Sequence, residues 1–93
     1  MSSTTAAGHF NVLYFASATS YTSKDSEQFE APLTLTKLYD ELETRYSGIQ
    51  KKLLESCLVT VNLEFVDVND VVGKDLVLKA GDEVAIIPPV SSG

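Results

Sequence analysis

Few side chains in this sequence are suited to chemistry. His9 is the only histidine, so neither a histidine-based catalytic triad nor a multi-histidine metal site can be built. It heads an apolar segment and reads as a solvent-exposed strand start. Cys57 is the only cysteine. A reactive thiol needs positive neighbours to lower its pKa, whereas Cys57 lies between Glu55-Ser56 and a strand-like run, the setting of a small core residue. Asp67, Asp70 and Asp75 lack the alternation of a calcium loop, and there is no glycine-rich phosphate cradle. No metal site is expected, and the chain alone is not expected to be an enzyme.

The carboxyl end, Pro88-Pro-Val-Ser-Ser-Gly93, is the remaining candidate. Two prolines directly after an apolar strand forbid the ladder from continuing and hold the chain extended. Pro88, Pro89, Val90, Ser91 and Ser92 lead to Gly93 with little bulk near the end. Fully extended, such a segment reaches ~20 Å at ~3.3–3.6 Å per residue. It can enter a narrow channel in another protein and present its terminal carboxylate there. The same residues also describe a frayed end, and composition leaves both readings open.

A working tail needs a body to hold it. Residues 1–8 are small and polar and read as a mobile leader. His9-Phe-Asn-Val-Leu-Tyr-Phe-Ala16 is aromatic and branched, which predicts a strand. Ser17 to Asp25 reads as a loop. Glu27 to Ala31 reads as a short strand returning beside the first and stopped by Pro32. Thr34 is placed to cap a helix in which Leu35, Leu38, Leu42 and Tyr46 form an apolar stripe. Asp40, Glu41, Glu43 and Arg45 fall largely on the other side, and Gly48 allows a left-handed exit near Ser47. Ile49 to Cys57 adds a short irregular helical turn. Leu58 to Val66 is strand with a bend near Asn62, Asn69-Asp70 marks a loop, and Leu76 to Leu78 is briefly extended. Lys79-Ala-Gly-Asp82 is a turn, with Gly81 free to take a positive φ, and Glu83 to Ile87 reads as a strand buried on both faces. The order predicts an α+β domain over 9–87, a mixed sheet of about five strands on one main helix, with a functional tail over 88–93.

With 93 residues, there is room for one domain and not two. A composition 44% hydrophobic and 22% charged fits a folded chain, and a single cysteine excludes an internal disulfide. The net charge is −6, with 7 Lys and Arg spread along the chain, which argues against nucleic acid or an anionic membrane and favours a basic protein partner. No apolar run approaches the ~20 residues of a membrane span, and the amino end lacks signal-peptide character, so a cytoplasmic protein is expected.

From Gly81 to Gly93, GDEVAIIPPVSSG resembles the end of MoaD-type small subunits of molybdopterin synthase. Val12-Leu-Tyr-Phe-Ala16, Val61-Asn62 and Pro32-Leu-Thr34 with the following helix fit the same family, so the resemblance spans roughly His9 to Gly93. It is closest to the eukaryotic version. The resemblance implies a ubiquitin-like β-grasp fold and a sulfur carrier. It implies that Gly93 is adenylated by a ubiquitin-activating-type enzyme using ATP, then converted to a thiocarboxylate, with no cofactor held permanently. The sulfur then passes to cyclic pyranopterin monophosphate to form the dithiolene of molybdopterin. The implied partner is the MoaE-type large subunit, two small chains pairing with two large ones, with the catalytic pocket on the large subunit. Phe15, Phe65 and Ile87 match apolar partner-binding positions of the family, and at least two of the three are expected to stay partly exposed. The family usually ends in Gly-Gly, whereas Ser92 precedes Gly93 here. Alternatives are a related carrier for tRNA thiolation or thiamin synthesis, or a ubiquitin-like interaction module without sulfur chemistry.

Overall fold

The computed structural model describes residues 7–68, 70, 73 and 75–89. The elements run β1 (His9–Tyr14), α1 (Ser17–Thr22), β2 (Ser26–Glu30), β3 (Leu33–Thr34), α2 (Leu35–Arg45), α3 (Ile49–Lys52), a 3-10 turn (Leu54–Ser56), β4 (Leu58–Val61), β5 (Glu64–Val66), β6 (Val77–Leu78) and β7 (Glu83–Ile87). Five strands form one sheet in the order β2-β1-β7-β4-β5. β1 and β7 are parallel neighbours at its centre and the other pairs are antiparallel. β3 and β6 form a separate antiparallel pair. This mixed sheet packed on one main helix is the ubiquitin-like β-grasp arrangement.

α2 forms where its stripe and cap dictate. The Lys37 N–H donates to Thr34 Oγ1 at 3.2 Å, satisfying an amide of the first turn. Leu35, Leu38 and Leu42 are fully buried and face Phe10, Val12, Val84 and Ile86 from the sheet in one core. Tyr46, the fourth residue of the stripe, is only partly buried because the helix ends at Arg45. Gly48 takes φ 87° as the chain turns into α3.

Two local features differ from expectation. Ser17–Asp25 is not simply a loop: Ser17–Thr22 forms a one-and-a-half-turn helix. Serine and threonine favour neither helix nor burial, so composition conceals it. Its hold is tertiary: Ala18 and Thr22 are buried, and Thr19 Oγ1 donates to the Tyr14 carbonyl at 2.9 Å. Glu43, on the polar side of α2, uses its carboxylate to accept from the backbone N–H of Gly48 at 2.7 Å and of Gln50 at 3.1 Å. Those amides open α3 and have no earlier carbonyl to bond. They hold the Glu43 carboxyl below its ordinary pKa.

Candidate functional site: the tail exit and the outer sheet face

β7 carries the tail, and its neighbours fix what surrounds the exit. Alternation turns Val84 and Ile86 toward the core and Ala85 and Ile87 to the opposite face. Register decides what joins them. Ile87 pairs with Leu58, and the Phe15 N–H donates to the Ile86 carbonyl at 3.3 Å. Phe15, Ile87 and Leu58 therefore form one row across three strands. Ala85 pairs with both Leu13 and Thr60, and Thr60 pairs with Phe65, giving a second row. Adjacent strands lie ~4.8 Å apart and same-face rows ~7 Å, so these side chains form one continuous surface.

That surface is apolar and open. Phe15 is 45% exposed, Leu58 53% and Phe65 64%. Ile87 is partly buried between its row neighbours. Large apolar side chains clustered on one face of a soluble domain mark an interaction surface. Phe15, Phe65 and Ile87 share this face, and none is fully buried. Leu58 was missed. Its signal was present in the alternation of Leu58-Val-Thr-Val, since burying Val59 turns Leu58 outward, but its place beside Ile87 depends on a pairing the sequence does not display.

The exit itself is anchored. Pro88 is buried and Pro89 is exposed, so the chain leaves the sheet at the edge of the apolar face. Val90, Ser91, Ser92 and Gly93 lie outside the described residues, as do residues 1–6 of the leader. At the opposite end of β7, the Gly81 N–H donates to the His9 carbonyl at 2.8 Å and the Asn11 N–H to the Asp82 carbonyl at 2.9 Å. Asp82 Oδ2 accepts from the Lys79 N–H at 2.8 Å, closing the turn that Gly81 makes possible at φ 87°. β7 is thus clamped at its start and hydrogen-bonded on both sides, and projects its tail from a rigid base.

The other chemical candidates have structural roles. The Cys57 thiol donates to the Leu53 carbonyl at 3.0 Å, and burial pushes its pKa up to about 11, the opposite of activation. His9 is partly buried, not fully exposed, with Nδ1 2.9 Å from the Ala7 carbonyl. Among the described residues no cluster of three His, Cys, Asp or Glu is placed to hold a metal ion. Nor is any described helix long and apolar enough to cross a membrane.

The chain is similar to a known group of proteins. The ThiS family matches residues 12–93. The chain is 56% identical over 88 residues to the molybdopterin synthase sulfur carrier subunit of Phaeosphaeria nodorum, covering 92% of each chain. Among solved structures it resembles SAMP1 from Haloferax volcanii, with TM-score 0.73 and 20% identity over 92% of this chain and 100% of that one. It also resembles a chain in the complex of subunits 1 and 2 of molybdopterin-converting factor from Helicobacter pylori, with TM-score 0.64 and 22% identity over 91% of this chain and 99% of that one.

Proposed function

The chain belongs to the ThiS family, and on that premise we propose that it works as the sulfur-carrier subunit of a molybdopterin synthase. The observation that carries this is the near full-length similarity to a relative bearing that name, on a fold whose central strand delivers the tail beside an exposed apolar face. In this role Gly93 is the working residue. A carboxylate ionises near pH ~3.5 and is a poor acyl donor at neutral pH. Its oxygen attacks the α-phosphorus of ATP on a ubiquitin-activating-type enzyme, and pyrophosphate leaves. A sulfur donor then displaces AMP, forming the carbon–sulfur bond of a thiocarboxylate. The thiocarboxylate sulfur bonds to a side-chain carbon of cyclic pyranopterin monophosphate as an oxygen substituent leaves that carbon, and hydrolysis of the acyl–sulfur bond returns Gly93 to a carboxylate.

The large synthase subunit supplies the pocket and acid–base groups, and the small chain holds no permanent cofactor. From the buried Pro88 onward, Pro89 through Ser92 thread the channel, with the hydroxymethyl of Ser92 as the one addition to the usual diglycine. Phe15, Leu58, Phe65 and Ile87 dock against the large subunit, and two sulfurs per product suit an assembly of two small and two large chains. Both partners meet the chain in the cytoplasm.

The test is mass spectrometry after incubation with activating enzyme, ATP and a sulfur donor. We expect a mass gain equal to one oxygen replaced by one sulfur, localised to Gly93. Deleting Gly93 should abolish that gain and dithiolene formation while leaving the unfolding midpoint unchanged. An unmodified mass points to a plain interaction module. A thiocarboxylate that no purified large subunit can discharge onto the pterin points to a carrier for another pathway.

A further inference from the structure

The hairpin joining β4 to β5 carries a residue that its fold does not want. Val61 pairs with Glu64, leaving Asn62 and Leu63 as a two-residue turn. Their φ angles are 52° and 71°. A turn with both central residues at positive φ is the type I′ arrangement, for which Asn-Gly is strongly preferred. Asn62 meets that demand. Leu63 does not, because a bulky γ-branched side chain in the left-handed region crowds its own backbone. Nor does burial compensate, for Leu63 is 88% exposed.

The turn is nevertheless held firmly. Asn62 Nδ2 donates to Asp82 Oδ1 at 3.1 Å, the Glu83 N–H donates to Asn62 Oδ1 at 3.0 Å, and the Asn62 N–H donates to the Glu83 carbonyl at 2.7 Å. Leu63 thus sits on a rigid mount, an apolar side chain presented to solvent at the cost of backbone strain. Strain of this kind persists where the surrounding structure over-determines it, and it is concentrated at functional sites.

Two features indicate what uses it. Leu63 lies two residues before Phe65 on the same edge hairpin, so its backbone is within ~7 Å of that of another exposed apolar residue. Its surroundings are acidic, with Glu64 and Glu83 exposed and Asp82 partly so. We propose that Leu63 is an outlying anchor of the docking face, seated in an apolar pocket with a basic rim on the large synthase subunit. This rests on the sulfur-carrier reading. A side chain carried on a backbone that is already fixed loses only its own rotamer freedom on binding, so most of its burial counts toward affinity.

The test measures affinity for the purified large subunit, and thermal unfolding, for the unmodified chain, Leu63→Gly, Leu63→Met and Phe65→Ala. Leu63→Gly creates the preferred Asn-Gly turn, so it should raise the unfolding midpoint by about 2–5 °C. The same change should weaken binding roughly tenfold or more, the effect of removing one buried leucine. Leu63→Met keeps an apolar anchor and should bind close to the unmodified chain. Unchanged affinity in Leu63→Gly alongside a loss in Phe65→Ala overturns the anchor and leaves the docking face standing. A lowered midpoint in Leu63→Gly overturns the strain on which the inference rests. If the unmodified chain fails to bind the large subunit, the sulfur-carrier reading falls and this contact falls with it, a failure visible before any substitution is made.

Discussion

Glu27 shows how much one side chain can bind together. Its side chain is only 9% exposed and faces the helix side of β2. It accepts from Tyr14 Oη at 2.6 Å, Arg45 Nη1 at 2.7 Å, Tyr46 Oη at 2.9 Å and Lys24 Nζ at 3.0 Å. Those donors tie β1, β2 and the end of α2 to one carboxylate. Burial alone would raise its pKa, but the four hydrogen bonds outweigh it and bring it from 4.5 down to about 2. The proton is therefore bound more weakly in the folded chain than in the unfolded one. The stabilisation is complete above pH 4.5 and is lost as pH falls toward 2. Glu27→Gln should cost about 2–3 kcal/mol at neutral pH, because it removes the charge that four donors share and leaves Arg45 only Glu41, 4.0 Å away. Denaturant unfolding of both proteins between pH 7 and pH 2 should show the gap narrowing only at the acid end. An equal gap at all pH values would assign the loss to packing.

At the scale of elements, the turn from α2 into α3 is tightly constrained. Gly48 adopts φ 87°, and a Cβ added there would lie 3.3 Å from Tyr21 Oη. That hydroxyl donates to the Ser47 carbonyl at 2.9 Å, pinning α1 to the end of α2. Gly48→Ala must therefore bear a left-handed alanine and push against a used hydroxyl. A loss of about 1–2 kcal/mol is expected. A Tyr21→Phe, Gly48→Ala double-mutant cycle separates the two terms: non-additivity measures the crowding, and additivity assigns the whole cost to the backbone. The helix α2 and its N-cap were legible in the sequence because each depends on residues a few positions apart, whereas its exit comes at Arg45, two residues before the expected Ser47, with Gly48 opening α3. α1 was not legible, because Ser17–Thr22 is held by contacts with β1 and the core, not by its own preferences.

For the whole molecule, the net charge of −6 acts on encounter more than on the bound state. Association with a basic partner should slow as ionic strength rises past the range in which the Debye length shrinks from ~10 Å toward ~3 Å, while dissociation changes little. Stopped-flow binding to the large subunit at several salt concentrations checks this, and a salt-independent on-rate contradicts it. The sequence alone determined the main strands, the main helix, the turn at Gly81 and the end of β7 at Pro88-Pro89, since local sterics and period fix all of them. Only the tertiary structure decided that β7 lies between β1 and β4. That placement aligned Phe15, Leu58 and Ile87 in one row and put Phe65 in the next. A strand's own residues tell which side chains share a face. Which strand lies beside it, and in what register, is settled by contacts between residues far apart in the chain, and no local pattern records them.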